Sequence, residues 1–268
     1  MGSSLVPRVL FVGNGLRGGG AEARLARLAS HVFGGQVDVA VLIGDARDSA
    51  PGKGGIYCLR WSGRLSYPLV ISKLWRLVRR EKYDVVVAFG LFPVAVSALA
   101  LLMMKSRPKL IVSEITRPLR AQKSLGSGRR WLYFHLRRIL FARGDLITAN
   151  SSDGLSEICR IVGVSPSTGV RLPNVVNADS LLAMANEEPP NCLQQDRRYA
   201  ICIGRLAFMK RVDTVVAALG MTQGHHQLRL VIVGDGEAKQ DLLRQIAALG
   251  LERRVTMTGH LSNPFPLL

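Results

Sequence analysis

The sequence predicts an α/β protein built from two doubly wound, parallel-sheet domains. Short apolar strands alternate with helical patterns from Arg8 to Gly259, as in chains that form parallel sheets. The strands are nearly continuous apolar runs, which is typical of strands covered on both faces. A polar, proline-containing segment, Asn186–Arg198, interrupts the alternation before it starts again. We therefore expect one domain over residues 1–190 and a second, incomplete domain over residues 191–268.

The first alternation predicts strands and helices in regular succession. The strands are short runs dominated by valine, leucine and isoleucine, at Arg8–Gly13, Val37–Gly44, Asp84–Gly90, Lys109–Glu114, Leu146–Asn150 and Gly169–Leu172. The helices have apolar residues at three- and four-residue spacing, at Ala21–Phe33, Leu74–Arg80, Pro93–Met104, Ser127–Phe141 and Asp153–Ile161.

The second alternation is shorter. It predicts strands at Tyr199–Gly204, Leu228–Gly234 and Val255–Gly259, with helices at Lys210–Leu219 and Glu237–Leu249. Gly250 is expected just past the end of the last helix, where glycine readily adopts a left-handed conformation. Three strands are few for an open α/β domain, which is why the second domain is predicted to be incomplete.

The apolar run from Val85 to Met104 must be tested as a membrane span. Its 20 residues would suffice, and only Ser97 among them is polar. Gly90 and Pro93 divide it, however, and proline is well tolerated in the first turn of a helix. We therefore predict a buried strand followed by a helix rather than a membrane span.

The composition is that of a globular, strongly basic protein. Lys and Arg number 36 and Asp and Glu 19, so the net charge is +17. The four cysteines lack metal-ligand spacing and are expected to be inert thiols in a reducing compartment. No nucleic-acid-binding module is recognisable, so we expect no nucleic-acid partner.

A glycine-rich segment follows the first strand. Gly13–Gly18 fits G-x-G-x-x-G, in which glycines and a helix N-terminus bind phosphate. Asp45, after the second strand, stands where a ribose-binding acid would lie in a nicotinamide-dependent enzyme. The continuation Gly18-Gly19-Gly20 instead suggests an open cradle, with Glu22 in the first helical turn, where the helix dipole favours an acid.

Two cations flank the turn after the first strand of the second domain. Arg205 leaves the strand and Lys210 is expected to open the next helix, where a lysine opposes the helix dipole. A bound phosphate would explain both side chains. Gly234 and Gly236 follow the next strand and would let a nucleoside approach the backbone. Asp235 is expected to cap the helix rather than bind a metal.

Several short motifs occur in order along the chain. They are Gly18–Glu22 (Gly-Gly-Gly-Ala-Glu), Ser113-Glu114, Leu172-Pro173-Asn174, Gly204-Arg205-Leu206 with Lys210, Val233–Glu237 (Val-Gly-Asp-Gly-Glu) and Thr258-Gly259-His260. Together they resemble the retaining GT-B glycosyltransferases of family 4, particularly those that build bacterial lipopolysaccharide, capsule and exopolysaccharide. The resemblance runs from about Arg8 to the last residue.

The resemblance implies two Rossmann-like domains, the first binding an acceptor and the second a nucleotide-sugar donor. It implies a catalytic set of Arg205, Lys210 and Glu114. It implies a donor-binding set of Gly19, Gly20, Arg205, Lys210, Gly234, Asp235, Gly236 and His260. It implies an acceptor-binding set of Glu22, Ser113 and Arg117. The cations and backbone amides would stabilise the leaving diphosphate, so no metal or other cofactor is expected.

The sequence departs from the family at its end. Members continue into a Glu-x7-Glu motif whose carboxylates contact the donor, and Leu268 precedes that motif. The expectation is therefore a fragment, a truncated gene product or a chain completed by a partner, with little or no activity alone. Two other functions stay open: an NAD(P)-dependent oxidoreductase, which leaves Arg205 and Lys210 unexplained, and a non-catalytic, membrane-bound binding module.

A basic stretch suggests an anionic membrane surface as a further partner. Between Val85 and Phe141 the only acid is Glu114, against ten Lys or Arg. The helix Ser127–Phe141 combines arginines with aromatic residues, a composition that suits lipid headgroups. The alternative is a core helix with a charged outer face. We expect a lipid-linked or saccharide acceptor and a cytoplasmic enzyme, peripheral on the inner face of the plasma membrane.

Overall fold

The chain divides into two compact units, Met1–Val175 and Val176–Leu268. The computed structural model describes residues 6–16, 20–43, 53–63, 66–116, 118, 126–189, 199–222 and 228–268. The division falls earlier than the boundary that the sequence predicts after residue 190. It does so because a helix at Ala178–Ala185 packs against the last turn of the chain, Phe265–Leu267, within the second unit.

The first unit is built on a seven-stranded parallel sheet. Its strands are β1 (Val9–Gly13), β2 (Asp38–Val41), β3 (Ile56–Cys58), β4 (Val85–Phe89), β5 (Lys109–Glu114), β6 (Leu146–Ala149) and β7 (Gly169–Arg171). Their order across the sheet is β3-β2-β1-β4-β5-β6-β7. The winding reverses between β1 and β4, and open α/β sheets bind ligands outside the carboxyl ends of the strands at such a point.

Helices cover both faces of this sheet. They are α1 (Gly20–His31), α2 (Tyr67–Glu81), α3 (Leu91–Leu102), α4 (Ser127–Phe141) and α5 (Ser152–Val162). Helix α1 packs on one face through Leu25, Leu28 and Ala29. Helices α2 to α5 contribute to the larger apolar core on the other face. The predicted alternation and the predicted doubly wound sheet are thereby confirmed.

Two elements of the first unit differ from the prediction. Strand β3 was not predicted, because three half-buried residues at a sheet edge carry no periodic signal. Helix α2 begins at Tyr67, well before the predicted start at Leu74, because Pro68 is accommodated in its first turn. The apolar run after Val85 forms β4 and α3, as predicted. In the part of the chain that the structure describes, no helix is both long and apolar enough to cross a bilayer.

The second unit contains a three-stranded parallel sheet in the order β10-β9-β8. Its elements are α6 (Ala178–Ala185), β8 (Tyr199–Ile203), α7 (Val212–Met221), β9 (Arg229–Val233), α8 (Lys239–Ala248) and β10 (Val255–Gly259). Helices α7 and α8 pack on one face of the sheet through Val216, Leu219, Leu242 and Ile246.

Both helices that follow β8 and β9 begin later than predicted. Lys210 does not open a helix but ends a 3-10 turn, Phe208–Lys210, and α7 begins at Val212. Asp235 does not cap α8, because that helix begins at Lys239 and its N-cap residue is Ala238. Gly250 follows α8 with a φ of +64°, which confirms its predicted role at the helix end.

Candidate functional site

In the first unit, α1 follows β1, one of the two strands at the reversal point of the sheet. Gly20, the first residue of α1, is exposed, and an added Cβ there would meet no atom within 4 Å. Glu22 lies in the first turn of α1, as predicted. Gly20 is therefore not packed against another part of the described chain. The candidate residues Gly19, Asp45 and Arg117 lie outside the described residues.

Ser113 and Glu114 end β5 and are fully buried. One oxygen of the Glu114 carboxylate accepts hydrogen bonds from the backbone amides of Ile115 and Thr116 and from the Thr116 hydroxyl, each at 3.0 Å. Its other oxygen pairs with Arg137 of α4. Both oxygens of Glu114 are therefore held by the protein itself, and its expected contact with the sugar stays a prediction. The expected acceptor contact of Ser113 likewise stays a prediction.

Arg137 is the buried partner of Glu114 and was not predicted as a functional residue. Its side chain is 3% exposed and lies over the rings of Tyr133 and Phe141, at 4.6 and 5.5 Å from the ring centres. Burial lowers the pKa of the Arg137 guanidinium to about 10, so it remains charged at neutral pH. The ion pair therefore fastens α4 to the carboxyl end of β5.

A second buried arginine, Arg24, stands one turn into α1. It is 4% exposed, and its Nη2 donates to the carbonyl of Leu172 at 2.8 Å. Its guanidinium carbon lies 6.0 Å from the centre of the Phe89 ring, at the end of β4. Its Nε and Nη1 have no hydrogen-bond partner among the described residues. No local pattern predicts this residue, since Leu172 lies 148 positions away in the sequence.

In the second unit, the turns after the three strands meet at one edge of the sheet. The Gly204 amide donates to Val233, the Leu206 amide to Asp235, and the Gly234 amide to Gly259, at 2.7 to 3.0 Å. These bonds connect the ends of β8, β9 and β10. The predicted donor residues of this unit are thereby brought to one edge, as expected for the carboxyl ends of parallel strands.

Arg205 and Lys210 lie on the exposed turn after β8. The Nη2 of Arg205 lies 3.1 Å from Oε2 of Glu237, and the two side chains are 72% and 44% exposed. An ion pair this exposed adds little stability because water screens it, so an anionic ligand can replace Glu237. Lys210 has no ion-pair partner among the residues that the structure describes. Its neighbour Arg211 instead pairs with Asp213 at 3.1 Å.

The glycines after β9 serve the packing of the protein itself. Gly234 has a φ of +139°, and a Cβ there would lie 1.9 Å from the carbonyl oxygen of Gly204. A Cβ on Gly236 would lie 2.5 Å from the carbonyl oxygen of Leu206. Both glycines are thus required by the close approach of the preceding turn. The close packing alone explains why glycine occupies these two positions. Their expected contact with a nucleoside stays a prediction.

The charged residues beside these glycines form short-range contacts. Asp235 accepts from the Gly236 amide and from Nζ of Lys239, each at 2.8 Å, and the lysine lowers the pKa of the Asp235 carboxyl. The backbone amide of Glu237, and then Arg205, lower the pKa of Glu237. His260 follows β10 and is exposed. Within the described ranges, no group of His, Cys, Asp and Glu side chains could hold a metal ion.

Two sequence families cover most of the chain. Residues 18–180 match the family described as Glycosyltransferase Family 4, and residues 185–266 match the Glycosyl transferases group 1. The first match alone includes more than half of the chain. The chain belongs to glycosyltransferase family 4. The two matched regions meet close to the division between the two units.

Curated relatives of this family 4 chain are also glycosyltransferases by name. It is 25% identical over 201 residues to the N-acetylgalactosamine-N,N'-diacetylbacillosaminyl-diphospho-undecaprenol 4-alpha-N-acetylgalactosaminyltransferase of Campylobacter jejuni. That match covers 75% of this chain and 53% of the relative, so the chain spans about half of that enzyme's length. It is 41% identical over 71 residues to the alpha-D-kanosaminyltransferase of Streptomyces kanamyceticus, covering 26% of this chain and 18% of that enzyme.

Solved structures of glycosyltransferases share the fold. The HepE protein of Anabaena, solved with UDP and glucose, is similar with a TM-score of 0.73 at 19% identity, over 98% of this chain and 71% of that chain. The lipopolysaccharide outer core galactosyltransferase WaaB is similar with a TM-score of 0.69 at 18% identity, over 97% and 70%. The chain therefore has the GT-B fold, as the sequence motifs predicted.

Proposed function

We propose that the chain transfers a sugar from a nucleotide-sugar donor to a lipid-linked or saccharide acceptor, with retention, in the synthesis of bacterial cell-surface polysaccharide. The second unit binds the donor and the first unit binds the acceptor. Family membership supports the transfer reaction. The Campylobacter relative acts, by its name, on a sugar linked to diphospho-undecaprenol, which supports a lipid-linked acceptor.

The observation that carries the proposal is the pair of exposed cations after β8. In the reaction, the bond between the anomeric carbon and the donor phosphate breaks, and its electron pair leaves with the diphosphate. The acceptor hydroxyl forms the new glycosidic bond, and its proton passes to an oxygen of the leaving diphosphate. Arg205 and Lys210 stabilise the charge that grows on the leaving diphosphate by electrostatic attraction. No metal ion is needed for this role.

A ligand panel tests the proposed donor. Thermal unfolding of the chain is followed with UDP-glucose, GDP-mannose and NAD, each at the same ionic strength. We expect at least one nucleotide sugar to raise the melting temperature in a saturable manner, because a ligand that binds only the folded state stabilises it. Stabilisation by NAD and by no nucleotide sugar would favour the oxidoreductase instead.

We further propose that α3 and α4 bring the enzyme to an anionic membrane, on the cytoplasmic face of the plasma membrane. The two helices pack side by side on the same face of the first sheet. Large apolar side chains are exposed along them: Leu99, Leu102, Met103, Trp131, Leu132, Leu136 and Ile139. Exposed arginines accompany these side chains on α4: Arg129, Arg130 and Arg138. Exposed apolar side chains among cations suit anionic headgroups.

Sedimentation with vesicles tests the membrane surface. Vesicles of phosphatidylglycerol and phosphatidylcholine are compared over a salt series with the wild-type chain, Trp131→Gln and Met221→Gln. We expect binding to the anionic vesicles at low salt, weakened by Trp131→Gln and not by Met221→Gln, which removes an exposed apolar side chain from the second unit. Absence of binding to anionic vesicles at low salt would reject the surface.

A further inference from the structure

The Arg24 side chain is a buried cation without an acidic partner among the described residues. One N–H group donates to the Leu172 carbonyl, and neither Nε nor Nη1 has a hydrogen-bond partner within the part of the chain that the structure describes. Burying an unpaired charge is costly, and buried polar groups in folded proteins are nearly always paired. The Phe89 ring, 6.0 Å away, offers only a weak partial compensation. The positive charge of Arg24 is therefore not compensated by any acid among the described residues.

The position of Arg24 coincides with two other features that favour an anion. Arg24 is four residues from Gly20, the first residue of α1, and helical side chains lean toward the N-terminus over the preceding turn. The helix N-terminus presents free amides and a partial positive charge. Phe89 ends β4, one of the two strands that flank the reversal point of the sheet.

We propose that Arg24 binds an anionic group, a phosphate or a carboxylate, of the acceptor at the N-terminal end of α1. The identification of the ligand as the acceptor rests on the proposed function, but the anion site itself does not depend on it. A negatively charged group there would compensate the buried guanidinium through Nε or Nη1. The enzyme would then discriminate between acidic and neutral acceptors.

The neighbouring Arg27 provides the matched control. It lies on the same helix, is exposed, and its Nη1 donates to the Val175 carbonyl at 3.4 Å. Arg27→Met and Arg24→Met therefore remove the same charge and the same kind of bond to a carbonyl. Only Arg24→Met removes a buried cation that lacks a partner.

The test is a titration of the full chain with glucose 1-phosphate, glucuronate and glucose, followed through the arginine Nε–H signals in nitrogen-15 spectra. We expect the Arg24 signal to shift with at least one anionic sugar and not with glucose. A response to only one of the two anions identifies phosphate or carboxylate as the group. Arg24→Met should weaken the binding at least tenfold, and Arg27→Met should leave it unchanged.

The melting temperature separates this role from a structural one. Without ligand, we expect Arg24→Met to melt no lower than Arg27→Met, because it removes an uncompensated buried charge. An Arg24 signal that ignores both anionic sugars, or equal binding by Arg24→Met and wild type, would overturn the proposal. Should Arg24→Met not fold, the wild-type signal, assigned through Arg24→Lys, still decides. Failure of UDP-glucose and GDP-mannose to bind would count against the donor site and leave this result standing.

Discussion

At the scale of single residues, the two groups of predicted catalytic side chains behave differently. Arg205 and Lys210 lie on the exposed turn after β8, although Lys210 does not open α7 as predicted and Arg205 has Glu237 as a neighbour. Glu114 is buried against Arg137, a residue 23 positions further along the chain. A sequence motif can identify the two exposed cations because they lie only five residues apart in the sequence. The partner of Glu114 depends on how α4 packs, which no local pattern contains.

The buried pair predicts a strong coupling between Glu114 and Arg137. Arg137→Met alone leaves a buried carboxylate without its partner, and we expect it to lower the free energy of unfolding by about 3–5 kcal/mol. Adding Glu114→Gln should restore most of this loss. A double-mutant cycle in urea measures the coupling. Losses that simply add would show that the two side chains do not act as a pair.

At the scale of elements, the sequence predicts strands better than helix starts. Strands β5 and β10 and helix α4 have their predicted bounds, because continuous apolar runs and a glycine-flanked basic helix give clear signals. Helices α7 and α8 start late because special backbone conformations precede them, Arg211 with a φ of +55° and Gly236 with +156°. Helix α6 was not predicted, and none of its eight residues is buried.

Helix α4 has its predicted bounds, but its buried face differs from the alternative that the sequence left open. The sequence left open a core helix with a charged outer face. Instead Arg137 is buried with Leu140 and Phe141, while Trp131 and Ile139 are exposed. An arginine can occupy the buried face of α4 because Glu114 lies beneath the helix and pairs with Arg137. Hydrophobic periodicity alone cannot anticipate a face that is set by a buried acid on a neighbouring strand.

The packing of the turns after β8 and β9 predicts that Gly234 cannot be replaced. Gly234→Ala places a Cβ against the Gly204 carbonyl oxygen, and we expect it to lower the free energy of unfolding by about 2 kcal/mol or more. Gly204→Ala is the control, since its added Cβ would meet no atom within 4 Å. Because the backbone of Gly204 has a positive φ, we expect Gly204→Ala to lower the free energy of unfolding by about 1 kcal/mol. Equal losses in urea unfolding would contradict the close approach as the cause.

At the scale of the whole molecule, the sequence predicted both the fold and the family, and the structure shows which charged and apolar features each unit carries. The first unit carries the apolar and basic helices α3 and α4, the exposed Gly20 at the start of α1, and the buried arginines Arg24 and Arg137. The second unit carries the exposed cations beside three connected turns. The net charge of +17 suits a molecule whose proposed partners, nucleotide, acceptor and membrane, are all anionic.

The decisive measurement is whether Arg205 and Lys210 bind the donor diphosphate. It is made by calorimetric titration with the nucleotide sugar that gives the largest rise in melting temperature. The wild-type chain is compared with the double variant Arg205→Gln, Lys210→Gln and with Arg211→Gln. Arg211 lies on the same turn but is paired with Asp213, so its loss should not affect the diphosphate. We predict at least tenfold weaker binding by the double variant and wild-type affinity for Arg211→Gln. Wild-type affinity in the double variant would show that Arg205 and Lys210 do not bind the diphosphate.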